Sequence, residues 1–326
     1  MGIPKIDFSG LNSSDPSTEK WTTVRPQVMH ALSNAGCFEA VFPPCPPLYG
    51  DTVKELFALP LERKKRNYYG PEYPFHGYLG GLPGLDGFET LAIRDAPRPE
   101  ALHSGIKATK KRKGNERVST LNLFNTVCDV VHPVAKHLYE LERIVRRMIL
   151  ESLGVAKYYE SQNESMWYLF RFSEYPPPSK EEKEKKIDKK LGYYSHQDTN
   201  TLSIIKQIQT DGLELKTRDG DWIEATPSPD SFIVMAGNSF RAWTNGNVHA
   251  PFHRILVGGE VTRYSSILFS VPSENDLVEA PEELVDENHP PLFIPFSYNE
   301  FTRFCASEKG AKADDMLEAF CADSKA

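Results

Sequence analysis

Apolar positions along this chain change their spacing near Trp167. Upstream, helical stretches predominate. Residues 3–8 alternate apolar and polar like a short strand, and then Trp21, Val24, Val28, Ala31 and Leu32 recur at helical spacing with Gly36 near the stop. A second helix is expected to end within Phe57-Ala58-Leu59-Pro60, because the residue before a proline resists the helical region. Residues 68–87 are rich in Gly, Pro and aromatics and read as a packed loop. The longest helical pattern runs over 121–153, through Phe124, Val127, Val131, Leu138, Leu141, Val145 and Ile149. Pro133 is expected to kink it and Gly154 to end it.

Downstream of Trp167 the period shortens. Strands are predicted at 167–172, 202–207, 212–217, 231–236, 252–257 and 265–271, separated by turn signals at Arg218-Asp219-Gly220, Ala236-Gly237-Asn238 and Asn245-Gly246. Closely spaced strands with polar turns suggest an antiparallel barrel or a jelly roll. The charged run at 179–190 reads as a solvated, mobile loop, and the proline-punctuated stretch after Ser273 as a loop leading into a helical tail. The expected fold class is therefore mainly β with flanking helices and a helix-rich N-terminal region. The expected organisation is a mixed α/β region over 1–115 packed on the core, a supporting helix over 116–160, the core over 161–275, and a terminal loop and helix over 276–326.

Bulk properties narrow the class. The 326 residues are 40% hydrophobic and 25% charged, which is ordinary for a soluble globular protein with a large core. A net charge of -7 gives no basic footprint for nucleic acid and no polybasic membrane patch. The five cysteines are odd in number and scattered, without a C-x-x-C pair, which suits a reducing cytosol better than a disulfide framework or a zinc knuckle. The opening MGIPKIDFSG shows no signal-like pattern, and no apolar run is long enough to span a bilayer. The expectation is a soluble, cytoplasmic protein, monomeric by default.

The chemistry concentrates in YYSHQDTN. If its surroundings form a strand, His196 and Asp198, two residues apart, project from one face, either as a mutually satisfied pair or as two ligands awaiting a third. A two-histidine, one-carboxylate iron site needs one more imidazole. His253 shares a strand face with Ile255 and Val257 and is preferred to His249, which follows a turn and precedes Pro251. Arg263 and Ser265 repeat the two-residue spacing. An inward guanidinium without a partner is costly, so Arg263 requires a carboxylate, and Ser265 can fill a remaining acceptor site. A plain ion pair with Glu260 is the competing reading for Arg263.

His196-Gln197-Asp198, Asn245-Gly246, His253-Arg254 and Arg263-Tyr264-Ser265, in this order and spacing, closely resemble the plant 2-oxoglutarate- and Fe(II)-dependent dioxygenases. Ile6-Asp7-Phe8, Gly36-Cys37-Phe38, Leu56-Phe57-Ala58-Leu59-Pro60 and Phe172-Ser173-Glu174-Tyr175-Pro176-Pro177 extend the resemblance over nearly the whole chain. Pro74-Phe75-His76-Gly77-Tyr78, Asp211-Gly212-Leu213-Glu214 and the segment from His249 to Arg254 resemble most the branch of glucosinolate oxygenases that make alkenyl and hydroxyalkyl products.

That resemblance implies a double-stranded β-helix (jelly-roll) core, with His196, Asp198 and His253 as catalytic iron ligands. It implies that Arg263 and Ser265 bind the distal carboxylate of 2-oxoglutarate, with Tyr175 also touching this co-substrate. Ser173 stands where the family carries Asn, which puts a polar contact there in doubt. Asp198 argues against halogenation, since halogenating relatives lack the carboxylate. The implied cofactors are Fe(II), 2-oxoglutarate and O2, with ascorbate in support. The implied reaction is oxidation of a small plant specialised metabolite, chiefly hydroxylation, with release of succinate and CO2. Desaturation and O- or N-demethylation use the same cofactors. A zinc-dependent hydrolase leaves Arg263 and Ser265 without a role, and a non-catalytic small-molecule binder leaves the complete ligand set unexplained. Phe75, His76, Tyr78, Phe240 and Phe269 are candidates for the substrate pocket.

Overall fold

In the computed structural model, which describes residues 2–47, 50–98 and 116–324, all six runs expected as strands after Trp167 are strands. They pair antiparallel in two sheets. The N-terminal strands are β1 (Lys5–Asp7), β2 (Cys37–Val41), β3 (Leu79–Gly80) and β4 (Glu89–Arg94). They are followed by β5 (Trp167–Tyr175), β6 (Lys189–His196), β7 (Leu202–Ile208) and β8 (Leu213–Lys216). The series continues with β9 (Trp222–Glu224), β10 (Ser231–Ala236), β11 (His253–Gly258) and β12 (Arg263–Val271). The large sheet has the order β1-β2-β10-β7-β12-β5-β4-β3, and the small sheet has the order β6-β11-β8-β9. From β6 to β12 the chain passes back and forth between the two. The four N-terminal strands extend both edges of the large sheet.

The two-residue period of a strand divides the long strands between two environments. On β5, Tyr168, Phe170 and Phe172 join the helices in one core cluster, whereas Tyr175 joins a second cluster with Ile205, Leu213, Ile233, Ile255 and Val257 from both sheets. The second cluster is the space between the sheets. The first lies under α1 (Glu19–Asn34) and the long α4 (Glu116–Ser152). Between these helices lie α2 (Gly50–Phe57) and α3 (Leu61–Lys64). The described N-terminal residues thus mix helix and strand.

Local signals explain most boundaries. The Thr18 side chain accepts the Trp21 N–H to cap α1, and the apolar stripe Trp21, Val24, Val28, Ala31 and Leu32 is buried. Among the described residues α4 continues through Pro133, and Val131, Leu138, Leu141, Val145 and Ile149 are buried. The side chains of Leu121, Phe124 and Val127, expected on the same stripe, lie outside the described residues, as does that of Cys128. After α4 comes α5 (Tyr159–Ser165). No described helix is long and apolar enough to cross a membrane.

Three expectations need correction. The charged run at 179–190 is ordered: Ser179 and Glu182 form a reciprocal capping box that starts α6 (Lys180–Glu184), and Lys189 and Lys190 already belong to β6. Its charge comes from side chains facing water, which does not prevent regular backbone pairing. The Gly237-Asn238 turn opens a helix, α7 (Asn238–Trp243). The aromatic loop 68–87 contributes β3, which pairs with β4. Beyond β12, β13 (Leu277–Val278) pairs with β14 (Phe296–Ser297), and α8 (Tyr298–Ala306), α9 (Glu308–Ala311) and α10 (Met316–Asp323) close the chain's described part.

One buried ion pair ties α4 to the sheet. Arg146 Nε donates to Glu142 Oε1 at 2.8 Å, both side chains are fully enclosed, and the Tyr168 hydroxyl of β5 donates to Glu142 Oε2 at 3.1 Å. Glu142→Leu strands a buried guanidinium and should cost about 3–5 kcal/mol of stability. The Glu142→Leu/Arg146→Met pair should recover most of that loss. Urea-unfolding midpoints measure both, and a neutral single variant would contradict the account.

Candidate active site

His196 is the last residue of β6 and lies directly opposite His253, the first residue of β11. Asp198 follows in the loop that carries the chain across to β7. His196 and Asp198 therefore do not share a strand face: the strand ends at the histidine, because the chain has to leave the small sheet for the large one. The loop nevertheless turns the carboxylate toward both rings. His196 Nε2 is 3.5 Å and His253 Nε2 3.7 Å from Asp198 Oδ1, and one ligand atom from each of the three residues falls within 4.8 Å of the others.

The backbone sets the tautomers. His196 Nδ1 lies 2.9 Å from the Tyr194 carbonyl and His253 Nδ1 3.4 Å from that of Pro251. A carbonyl only accepts, so each Nδ1 carries the hydrogen and each Nε2 turns a lone pair toward the centre. Burial, followed by the neighbouring His196, pulls His253 down to about 4. Burial pushes the Asp198 carboxyl up, but His253, His196 and Ser203 together outweigh it and hold the group well below the usual carboxylate range. Two neutral imidazoles and one carboxylate, each with a free lone pair, form a donor set that suits a divalent cation of the first transition row and leaves coordination positions open.

Residues absent from the sequence reading hold this arrangement. Ser203, on β7, donates to Asp198 Oδ2, and Asn200 donates to Ser203 in turn. The first turn of α7 grips the same loop, with Asn238 N–H donating to Asp198 O at 2.7 Å and Ser239 Oγ to Thr199 O at 2.6 Å. A β-carbon at Gly237 would come within 2.2 Å of Asn200 O, so only glycine allows that approach. The Gln197 Nε2 donates to Ala250 O at 2.8 Å, tying the two histidine-bearing segments together. His249 stays outside the triad. Its backbone N–H donates to Leu32 O, and burial, with Arg218 and Arg241, pulls its imidazole down to about 4.

Arg263 and Ser265 do share a face of β12, opposite Tyr175 and Ser173 on β5. Arg263 is 0% exposed, its guanidinium lies 4.8 Å from the centre of the Tyr175 ring, and Nη2 donates to Gln207 Oε1 at 2.7 Å. Gln207 is itself braced, donating to Asp211 and to Ala225 O. Gly212, at φ +144°, makes room: a β-carbon there would meet Leu256 O at 2.4 Å and Arg263 Cδ at 3.1 Å. Glu260, the alternative partner for Arg263, pairs instead with Lys183. That leaves Arg263 Nε and Nη1 and the Ser265 hydroxyl buried without hydrogen-bond partners among the described residues. Two N–H donors and one hydroxyl, enclosed and unanswered, match the oxygens of a carboxylate. These residues fit a keto acid held at its far end, just as the triad fits its metal.

The five pocket candidates separate. Phe75 lends its carbonyl to Arg171, and the ring of Phe269 lies 5.6 Å from the Arg171 guanidinium. His76 stacks on Tyr73 and meets the edge of Trp167, and burial, with Arg171 and Arg94, pulls it to about 3. Tyr78 points to Glu89, to which its hydroxyl donates at 2.6 Å. Phe240 lines a separate cavity of about 450 Å³ with Tyr158, Met166 and Trp243, and no triad residue borders it.

Fold and site together define a non-haem iron oxygenase. The sequence pattern of the 2OG-Fe(II) oxygenase superfamily matches residues 158–272. Probable 2-oxoglutarate-dependent dioxygenase AOP1 of Arabidopsis thaliana is 39% identical over 324 residues, covering 98% of this chain and 96% of the relative. This chain belongs to that superfamily, whose cofactors are Fe(II) and 2-oxoglutarate, and it groups with the AOP-type plant dioxygenases. Among solved structures, the rice dioxygenase for auxin oxidation superposes with a TM-score of 0.72 at 23% identity, covering 97% of this chain and 98% of that one. The 2-oxoglutarate complex of its Arabidopsis thaliana counterpart superposes at 0.69 with 22% identity, covering 88% and 99%. These likenesses concern the fold.

Ser203→Ala removes the hydrogen bond that orients Asp198 without touching the three ligand atoms. Affinity for Mn(II), measured by calorimetry, should fall about 10–100-fold while the melting temperature of the metal-free protein holds. Unchanged Mn(II) affinity would show that Ser203 does not orient the ligand.

Proposed function

We propose that this chain hydroxylates a small plant specialised metabolite, consuming 2-oxoglutarate and O2 and releasing succinate and CO2. The observation that carries the reading is the pair of enclosed Arg263 nitrogens, Nε and Nη1, unanswered near the unpartnered Ser265 hydroxyl on the same face of β12. A hydrolytic metal site has no use for such a group. The two facing sheets are read as the double-stranded β-helix of this superfamily, with the N-terminal region packed against it. We place it in the cytoplasm, because scattered cysteines suit a reducing compartment, and take the monomer as its working state.

In this reading His196, Asp198 and His253 hold Fe(II), and Arg263 with Ser265 holds the distal carboxylate of the keto acid. Bound Fe(II) with 2-oxoglutarate and O2 supplies the oxidising power for a substrate C–H bond, and the protein supplies position. Asp198 remains ionised, and the Nδ1 hydrogens committed to backbone carbonyls leave both Nε2 atoms facing the metal position. Arg263 is set in place before the co-substrate arrives, by Gln207 on one side and the Tyr175 ring on the other. That reduces the reorganisation needed on binding. The space between the sheets keeps water from competing for the guanidinium.

With Fe(II) and 2-oxoglutarate, the protein should consume O2 and form succinate and CO2 in step with oxidation of one member of a metabolite panel. Asp198→Ala, folded normally by circular dichroism, should lose that coupled turnover. Arg263→Met removes two charge-assisted hydrogen bonds of about 1.5 kcal/mol or more each and should raise the 2-oxoglutarate KM about 100-fold. Turnover supported by Zn(II) without O2 would instead establish a hydrolase.

A further inference from the structure

The cavity that Phe240 borders lies apart from the triad and has a chemistry of its own. At about 450 Å³ it falls within the usual range for sites that hold a small molecule. Its apolar wall combines Met166 and Val278 with the rings of Tyr158, Trp243 and Phe240. Tyr158 meets Trp243 edge to face at 5.8 Å, and Phe240 lies 6.4 Å from Trp243. Glu164 and Asp276 stand at the exposed rim, and neither carboxylate has a hydrogen-bond or ion-pair partner among the described residues. No lysine, arginine or histidine lines the cavity among the described residues. The basic residues beside the lining in sequence are already engaged, Lys157 by Glu283 and Arg241 by Asp315 and Glu318. Thr201, by contrast, is only 6% exposed, and its hydroxyl has no hydrogen-bond partner among the described residues.

These features specify an occupant. Unpaired carboxylates at the rim attract a cation, and aromatic rings offer it their negative faces. The apolar wall suits a carbon skeleton, and an enclosed hydroxyl without a partner awaits a polar group. We propose that this cavity is a second, non-catalytic binding site for a small organic ammonium ion with an aromatic body and a polar group at its far end. Glu164 and Asp276 hold the ammonium, the three rings and Met166 flank the body, and Thr201 meets the polar end. The site bears on the triad through α7. Ser239 and Phe240 border the cavity from this helix, whose first turn donates to the Asp198 and Thr199 carbonyls, and Gly237 N–H donates to Thr201 O at 2.9 Å. A ligand packed there favours the arrangement in which α7 grips the Asp198 loop. It therefore tightens metal binding, and bound metal tightens the ligand by the same factor. This assignment goes beyond the hydroxylase reading and does not rest on it.

The test measures binding without turnover. Tyramine and tryptamine are titrated by calorimetry into the full chain, with 4-ethylphenol and 3-ethylindole as their uncharged counterparts. The wild type should bind at least one amine about 10-fold more tightly than its counterpart, and added salt should shrink the preference. The double variant Glu164→Gln/Asp276→Asn changes only exposed, unpartnered side chains. It should abolish the preference while affinity for the uncharged probe holds. Ser165→Trp places a large ring at the exposed edge of the cavity and should remove the tight amine binding. Should Ser165→Trp fail to fold, the double variant decides. In the wild type a saturating amine should raise Mn(II) affinity several-fold, and in Ser165→Trp it should not.

Equal binding of charged and uncharged probes by the wild type, or no binding of either amine, would overturn the proposal. So would an undiminished preference in Glu164→Gln/Asp276→Asn or undiminished amine binding in Ser165→Trp, since the amine would then sit elsewhere. Unchanged Mn(II) affinity in the amine-saturated wild type would overturn the link to the triad. Succinate formation by the wild type is scored separately. Its absence alongside an intact amine preference would remove the dioxygenase reading and leave the cation site in place.

Discussion

A guanidinium enclosed between two sheets, with two of its N–H donors unanswered, is the constraint around which this structure is arranged. Arg263 reaches that position because β12 pairs with β5 on one side and β7 on the other, which leaves its side chain no route to water. Tolerating the charge takes several local provisions: a glycine at 212 for clearance, Gln207 to accept one N–H, and the face of Tyr175 to border the cation. None of these neutralises it. Asp211 attracts the charge without bonding to it, which leaves Nε and Nη1 open to a group that brings a carboxylate.

The same strand geometry sets the scale of the active site. β5 and β12 run side by side, and each exposes alternate residues to the space between the sheets. On this shared face, Tyr175, Ser173 and Arg171 stand opposite Arg263, Ser265 and Ile267. The triad forms where the small sheet meets the large one, with a histidine from each of two paired strands and a carboxylate from the loop between sheets. The opposite faces, carrying Phe170, Phe172 and Leu268, are covered by helices and form the main core. One face therefore supplies stability and the other supplies chemistry, and substitutions on the two should separate in their effects.

Much of this was legible along the chain, and what was not has identifiable causes. The strands after Trp167 were readable because their apolar residues are dense and β-branched or aromatic. β6 was hidden, because its first residues are lysines and its apolar residues, Leu191 and Tyr194 among them, do not alternate regularly with buried and exposed positions. The capping box at Ser179 was present in the sequence as Ser-x-x-Glu and was masked by the surrounding charge. His196, Asp198, His253, Arg263 and Ser265 could be chosen because their spacing is unusual. Ser203 and Gln207 could not, since a polar residue within an apolar strand carries no sign of what it will face. Arg171 gave no signal in the sequence, and only its register with β12 places it on the face shared with Ser173 and Tyr175.

By itself, then, the sequence determined the chemical inventory and the family: two imidazoles, a carboxylate, a guanidinium and a hydroxyl in that family's order. It also determined which strands form, because period and propensity are local properties. Only the tertiary structure decided that Asp198 serves from a loop and not from a strand face, and that Glu260 is taken by Lys183, leaving Arg263 unanswered. It decided, too, that Phe240 borders a different cavity while Phe269 lies beneath a second arginine. The physical reason is common to all of these: a side chain's partner is set by packing between segments distant in sequence. For Arg263 and Phe269 that packing is strand register, and a shift of one residue would turn both to the opposite face of the sheet.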